Sequence, residues 1–153
     1  MTSELHKFLI EIDEVGNWEY PRASRTKTSW EEIEAIQEEF AAIIPEKFEI
    51  DRWVQDASFL TDLALFNDHP DRQGVVQQSF KLAFRFSNFG KMYSMLGSDI
   101  ANESDYPISQ LKSVLRDRGF VYISSEDLDQ AYDGKNPPIR KNMTWWDRYF
   151  DYL

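Results

Sequence analysis

The clearest hydrophobic pattern in the chain lies between Ser29 and Pro45. Apolar residues recur there at intervals of three and four positions, as on one face of an α-helix; they are Trp30, Ile33, Ile36, Phe40, Ile43 and Ile44. Thr28 and Ser29 are both suitable N-caps, Ser29 and Glu32 have the spacing of a capping box, and Pro45 cannot continue a helix. The pattern therefore predicts an amphipathic helix, with Trp30 in its buried stripe and glutamates over much of the remaining surface.

An alternation of period two in the middle of the chain predicts a sheet. Its apolar positions are Phe80, Leu82, Phe84 and Phe86, which indicates a strand with one apolar face. The stretch 87–90 is typical of a reversal because Gly90 tolerates a positive φ, and Met92–Leu96 would return as the second strand of a hairpin. Upstream, 58–66 is either another strand with a bulge or a short helix, since its apolar residues alternate irregularly. The turn formers of 67–74 predict a loop.

The flanking segments supply helices and one more short strand. A helix follows Pro107 and ends at Gly119, the stretch 120–123 predicts a strand, and Thr144 caps a further helical start. Near the N-terminus, 5–12 has helical spacing with Ser3 as its cap, although a strand would also fit three of its apolar residues. The order of elements predicts one α+β domain over residues 1–153. It would hold an antiparallel sheet of about four to five strands with helices packed mainly on one face.

The composition excludes several classes of protein. The chain of 153 residues has no cysteine, so disulfides, thiolate metal sites and cysteine nucleophiles are absent. It contains no run of about eighteen apolar residues that would span a membrane. The polar start Met1–Lys7 has neither the basic region nor the apolar block of a signal peptide. We therefore expect a cytoplasmic protein that does not associate with membranes.

The charges are distributed unevenly along the chain. The net charge is −10, and the residues up to Asp68 contain sixteen acids and six bases, whereas the rest contains eleven of each. Nucleic-acid binding needs clustered Lys and Arg, so we expect no nucleic acid as a partner. The excess suits a basic protein partner, and the alternative is an acidic surface that serves only solubility. On the first of these hypotheses the partner-binding residues are Glu31, Glu34, Glu38 and Glu39.

The sequence contains few residues suited to catalysis. No phosphate-binding loop, dinucleotide fingerprint, nucleophile elbow or zinc-protease motif is present, and we predict no cofactor. Asp68, His69 and Asp71 are weak candidates for a metal site, since a proline-containing polar turn accounts for the same residues. A second hypothesis is a small-ligand-binding or enzymatic domain with a pocket between sheet and helices, which would use these three residues with Tyr122 or Arg85.

The C-terminal segment 144–153 is rich in aromatic residues. Two Trp, two Tyr, one Phe and one Leu lie within ten positions, and leaving that apolar surface in water would be costly. The segment would therefore close the core. Alternatively it forms an interface, with Trp145 and Arg148 as the partner-binding residues, because Trp and Arg are common interface anchors. Homo-oligomerisation through this segment is a third hypothesis.

Taken together, these features resemble those of small bacterial immunity-type proteins, which bind and neutralise the polymorphic toxins encoded beside them. The resemblance is carried by the small acidic α+β chain, the strand that ends in 86–90, and the terminal segment Thr144–Phe150. It implies a non-enzymatic inhibitor with an acidic face for a basic toxin. Such families share no catalytic residues, so the resemblance assigns no role to any individual residue.

Overall fold

The computed structural model describes residues 1–18, 21–22, 28–51, 60–70, 72–74, 76–100 and 104–151. Five helices and five strands lie within these ranges. In chain order they are α1 (Ser3–Ile12), α2 (Trp30–Ile43), β1 (Glu49–Asp51), β2 (Leu60–Pro70), β3 (Val76–Ser87), β4 (Met92–Leu96), α3 (Ile108–Asp117), β5 (Val121–Tyr122), α4 (Ser125–Leu128) and α5 (Trp145–Tyr149). Among the helices so described, none is long and apolar enough to cross a bilayer.

The strands form one open sheet in the order β1-β2-β3-β4-β5. The first three pairings are antiparallel, while β4 and β5 are parallel. Parallel neighbours need a crossover connection, and the chain between β4 and β5 supplies one that contains α3. The α+β class with a mainly antiparallel sheet is therefore confirmed, and the sheet is mixed because of this one pair at its edge.

The β2–β3 hairpin is longer than the sequence predicts. Its register shifts between Leu65 and Phe66, which is the bulge that the irregular alternation suggested. Beyond the bulge, pairing continues from Asn67 opposite Ser79 to Pro70 opposite Val76. The prediction of a loop that begins at position 67 is therefore wrong as far as Pro70. Hydrogen bonding along the hairpin outweighs the local turn preference of Asn, Asp and Pro in this stretch.

One face of the sheet is covered by α2 and α3. The predicted helix α2 begins after Ser29, whose hydroxyl accepts a hydrogen bond from the Glu32 backbone N–H, and its C-cap is Ile44. The buried side chains of the two helices are Ile33, Ile36, Phe40, Ile108, Leu111 and Leu115. They pack against the inward side chains of the central strands, among them Leu63, Phe84, Phe86 and Tyr93. Side chains thus fill the layer between these helices and the sheet.

A second hydrophobic core joins the two ends of the chain. It contains Leu9 of α1, Leu128 of α4, and Trp145 and Tyr149 of α5. Met92 of β4 belongs to this core, whereas its neighbour in the chain, Tyr93, belongs to the first. Because successive residues of a strand point to opposite faces, α1, α4 and α5 pack on the other side of the sheet from α2 and α3.

The second core is built around a buried ion pair. Arg148 Nε donates to Asp13 Oδ1 at 2.8 Å, and both side chains are completely buried. Asp13 Oδ2 accepts hydrogen bonds from the Tyr132 hydroxyl at 2.6 Å and the Lys135 backbone N–H at 2.7 Å, while Asn136 Nδ2 donates to Oδ1 at 3.1 Å. The carboxylate therefore has partners for both of its oxygens, which a buried charge requires.

Backbone carbonyls and aromatic rings surround the Arg148 guanidinium. Its terminal nitrogens donate to the carbonyl oxygens of Asn17 at 2.9 Å and Trp18 at 3.3 Å. Its central carbon lies 4.4 Å from the centre of the Phe89 ring and 4.8 Å from that of Tyr149. Carbonyl oxygens and ring faces are both favourable partners for a guanidinium group, and these contacts connect the end of α1, the β3–β4 turn and α5.

Glycine is required at one position beside this pair. A Cβ atom at Gly134 would collide with the Asp13 carboxylate and the Tyr132 ring. The backbone can approach the ion pair this closely only without a side chain.

A second buried ion pair, which is bidentate, ties the sheet to the C-terminal segment. Asp62 and Arg85 lie opposite each other on β2 and β3, and Arg85 Nε and a terminal nitrogen each donate to a different Asp62 oxygen at 2.8 Å. The other terminal nitrogen of Arg85 donates to the Phe150 carbonyl oxygen at 3.0 Å. The segment after α5 is therefore held on the second face of the sheet.

Breaking the Asp13–Arg148 pair should be strongly destabilising. We expect Arg148→Met or Asp13→Asn alone to lower the free energy of unfolding by about 3–5 kcal/mol, because each leaves a buried charge without its partner. The double variant should lose less than the sum of the two, since no isolated charge remains. Urea unfolding followed by circular dichroism measures this, with the exposed Glu38→Gln as control. Additive losses would contradict the coupling.

Stability should also fall at alkaline pH. Burial raises the pKa of Tyr149 and of Tyr93 above the ordinary value of 10.0. The unfolded chain then releases protons that the folded chain retains, so the stability present below about pH 10 is lost as pH rises, by about 1.4 kcal/mol per pH unit for each tyrosine. Urea titrations at several pH values measure the slope. Tyr149→Phe should reduce it, and an unchanged slope in this variant would refute the assignment.

Candidate functional site

Three of the four predicted glutamates form an exposed row on α2. The buried face of this helix is set by Ile33 and Phe40, and positions 31, 34 and 38 lie on the opposite side at 3.6 residues per turn. Glu31, Glu34 and Glu38 are all exposed. We call these three residues the acidic row. Since the buried stripe holds α2 against the sheet, the acidic row has to face away from the protein.

The fourth predicted residue, Glu39, lies on the flank of α2 and is engaged within the chain. Arg118 Nε, just after α3, donates to Glu39 Oε2 at 2.7 Å. Two turns earlier on α2, Glu32 Oε1 accepts a hydrogen bond from Lys91 Nζ at 2.8 Å, and the same Lys91 Nζ donates to the Arg118 carbonyl oxygen at 2.6 Å. The flank glutamates therefore connect α2 to its neighbours, and Glu39 differs in environment from the acidic row.

Folding pairs acids of the first half of the chain with bases of the second. Five ion pairs of this kind are present among the described residues: Asp13 with Arg148, Glu32 with Lys91, Glu39 with Arg118, Glu46 with Lys81, and Asp62 with Arg85. The excess of acids in the first half of the sequence is therefore partly compensated by bases of the second half when the chain folds. These bases neutralise part of the excess negative charge, while the acidic row lies exposed at one place on α2.

An exposed tryptophan lies beside the acidic row. Trp30 is the first residue of α2, and 46 % of its surface is exposed. The prediction that it belongs to the buried stripe is wrong, because the stripe that contacts the sheet begins at Ile33. The sequence did contain a signal for this position, since a residue directly after an N-cap lies at the very end of the helix.

The other two predicted partner-binding residues lie in the interior. Trp145 is completely buried, with its ring stacked on Tyr149 at 5.8 Å, and the side chain of Arg148 has no exposed surface. The structure places both in the second core, as the first interpretation of this segment predicted. A partner cannot reach them on the folded surface.

The three candidate metal ligands lie at the end of β2 and directly after it. Asp68 and His69 are consecutive residues of β2, paired with Gln78 and Gln77. The Asp68 carboxylate accepts a hydrogen bond from Gln78 Nε2 at 3.1 Å. Asp71 lies outside the described residues. In the part of the chain that the structure describes, no three metal-ligating side chains gather.

Arg85 and Tyr122, the other two residues of the small-ligand hypothesis, lie apart from each other in the fold. Arg85 is held by Asp62 on the second face of the sheet, whereas Tyr122 lies on the edge strand with 41 % of its surface exposed. Lys112 Nζ lies 3.8 Å from the centre of the Tyr122 ring. Burial, with the nearby Glu126 and Asp127 carboxylates, raises the pKa of Tyr122. Each side chain thus has a local structural role.

The acidic row and Trp30 are therefore the surface on which a function can be argued. They combine three carboxylates with an exposed indole on one well-anchored helix. Such a surface offers a basic partner both opposite charge and apolar contact. No family model, no curated protein and no solved structure matches this chain.

Proposed function

We propose that this protein is a non-enzymatic protein-binding module that docks a basic partner on the acidic row and Trp30. The observation that carries the proposal is the exposed position of three carboxylates beside an exposed indole on one helix that the core holds in place. Glu31, Glu34 and Glu38 repel one another, and a partner that brings Lys or Arg would relieve this repulsion.

Trp30 supplies the apolar part of the proposed interface. Binding energy at protein interfaces is concentrated in a few residues, and tryptophan is enriched among them. The carboxylates at its side would steer a basic partner and increase the association rate, whereas burial of the indole would slow dissociation.

The resemblance to immunity-type proteins suggests what kind of partner binds this surface. On that basis the partner is a basic toxin encoded by the adjacent gene, and the chain inhibits it in the cytoplasm by binding. The cysteine-free composition fits a reducing compartment.

Neutralising two acids of the row should weaken binding to the purified product of the adjacent gene. We expect Glu31→Gln/Glu38→Gln to raise Kd by about tenfold, with most of the change in the association rate, and Trp30→Ala to raise it at least as much. Biosensor kinetics at several salt concentrations measures this. The effect of the two glutamates should shrink as salt rises, because exposed charges are screened.

The chain itself offers a matched control on α1. Glu4 and Glu11 are exposed, seven positions apart like Glu31 and Glu38, and begin in the first turn of their helix. Glu4→Gln/Glu11→Gln therefore removes the same charge from the same kind of position and should leave Kd unchanged. An equal loss in both variants would show a net-charge effect and contradict a site on α2. Absence of binding in the unmodified chain would refute the immunity-type form.

A further inference from the structure

A pocket lies on the second face of the sheet, away from α2. It opens between the end of β4, the short helix α4 and α5, and its lining residues are Leu96, Ser125, Glu126, Asp129 and Trp146. Leu96 alternates with Tyr93 and Met95, which face the first core, so its side chain faces the opposite side. The pocket therefore shares no residue with the acidic row.

The walls of the pocket are held by the second core. Leu128 is completely buried and anchors α4, while the Ser124 hydroxyl caps this helix by accepting from the Asp127 backbone N–H at 3.2 Å. On the other side, Thr144 and Asp147 form a capping box at the start of α5. The Trp146 ring stacks on Phe150 at 5.5 Å. The lining residues are thus carried on elements with fixed positions.

Three acids lie on α4 and at its C-cap. Asp127 is bonded within the chain, whereas Glu126 and Asp129 line the pocket. Asp127 bonds the Met1 ammonium at 3.0 Å and the Ser124 hydroxyl at 3.0 Å, and these contacts lower its pKa. Glu126 and Asp129 are exposed, and within the described residues neither takes part in an ion pair. Two carboxylates therefore line the pocket without an internal cation.

The remaining walls suit a cation with an apolar stem. None of the five lining residues is basic, and Leu96 and Trp146 are apolar. One buried base, Arg85, contacts the Trp146 ring with its guanidinium carbon 5.9 Å from the ring centre. It is already neutralised by both oxygens of Asp62. An indole with nearby carboxylates is a favourable environment for an ammonium or guanidinium group.

We propose that this pocket binds an organic cation, an alkylammonium or guanidinium group, whether free or at the end of a lysine or arginine side chain. Glu126 and Asp129 pair with the charge, and Leu96 and Trp146 pack against the stem. This inference does not depend on the partner proposed for α2, since the two surfaces lie on opposite sides of the sheet.

The test is a titration of the full chain with n-butylammonium chloride, followed by proton–nitrogen NMR. The indole N–H of Trp146 is assigned by its loss in Trp146→Phe. We expect saturable shifts at this indole and at the amides of Ser125–Asp129. Glu126→Gln/Asp129→Asn, which changes only exposed side chains, should weaken the affinity by about tenfold or more. The control Glu4→Gln/Glu11→Gln should retain it.

The neutral isostere 1-butanol separates cation recognition from adsorption on an apolar surface. Equal saturable shifts with 1-butanol, shifts that do not saturate, or unchanged affinity in Glu126→Gln/Asp129→Asn would each overturn the proposal. A second titration with N-acetyl-lysine methylamide distinguishes the two sources of the cation. Affinity about tenfold above that of n-butylammonium supports a lysine side chain of a protein, and equal affinity supports a free cation.

Discussion

The ion pair between Asp13 and Arg148 lies where the two ends of the chain meet. Asp13 ends α1 and Arg148 belongs to α5, so 135 positions of sequence separate the two groups. Removing both charges from water is costly, and the structure offsets this cost with the Tyr132 hydroxyl, two backbone carbonyls and the Phe89 and Tyr149 rings. Because these groups come from the residues after α1, from the β3–β4 turn and from the C-terminal part of the chain, this charged cluster is complete only when all three are in place.

Other charged residues are also paired across long distances in the sequence. In the part of the chain that the structure describes, five ion pairs join an acid of the first half to a base of the second, and two of them, Asp13–Arg148 and Asp62–Arg85, are buried. A net charge read along the sequence therefore overstates how acidic the first half is after folding. Two groups of exposed acids lie next to an exposed or half-buried aromatic ring: the acidic row beside Trp30, and Glu126 and Asp129 beside Trp146. Both proposals rest on these places, where an exposed charge lies next to an aromatic side chain.

The two surfaces differ in shape, and this determines what each suits. The acidic row lies on a convex helix, on which opposite charge mainly steers a large partner. The pocket beside Trp146 is concave, and its lining combines the apolar Leu96 and Trp146 with two carboxylates. This combination suits a single cationic group with an apolar stem. They lie on opposite faces of the sheet, so occupation of one leaves the other accessible.

Local patterns were sufficient for α2, for the β3–β4 hairpin and for the α+β class. The stripe from Ile33 to Phe40 and the alternation from Phe80 to Phe86 each report burial of one face, and Gly90 takes the positive φ that its turn needs. Such patterns did not predict the length of β2 or the burial of Arg148. Residues 67–70 form part of a strand because they pair with β3. Arg148 has the residue type of an interface anchor, but it is buried because it pairs with Asp13. Sequence spacing records which neighbours a residue has along the chain, whereas partners more than a hundred positions away are assigned only when the chain has folded.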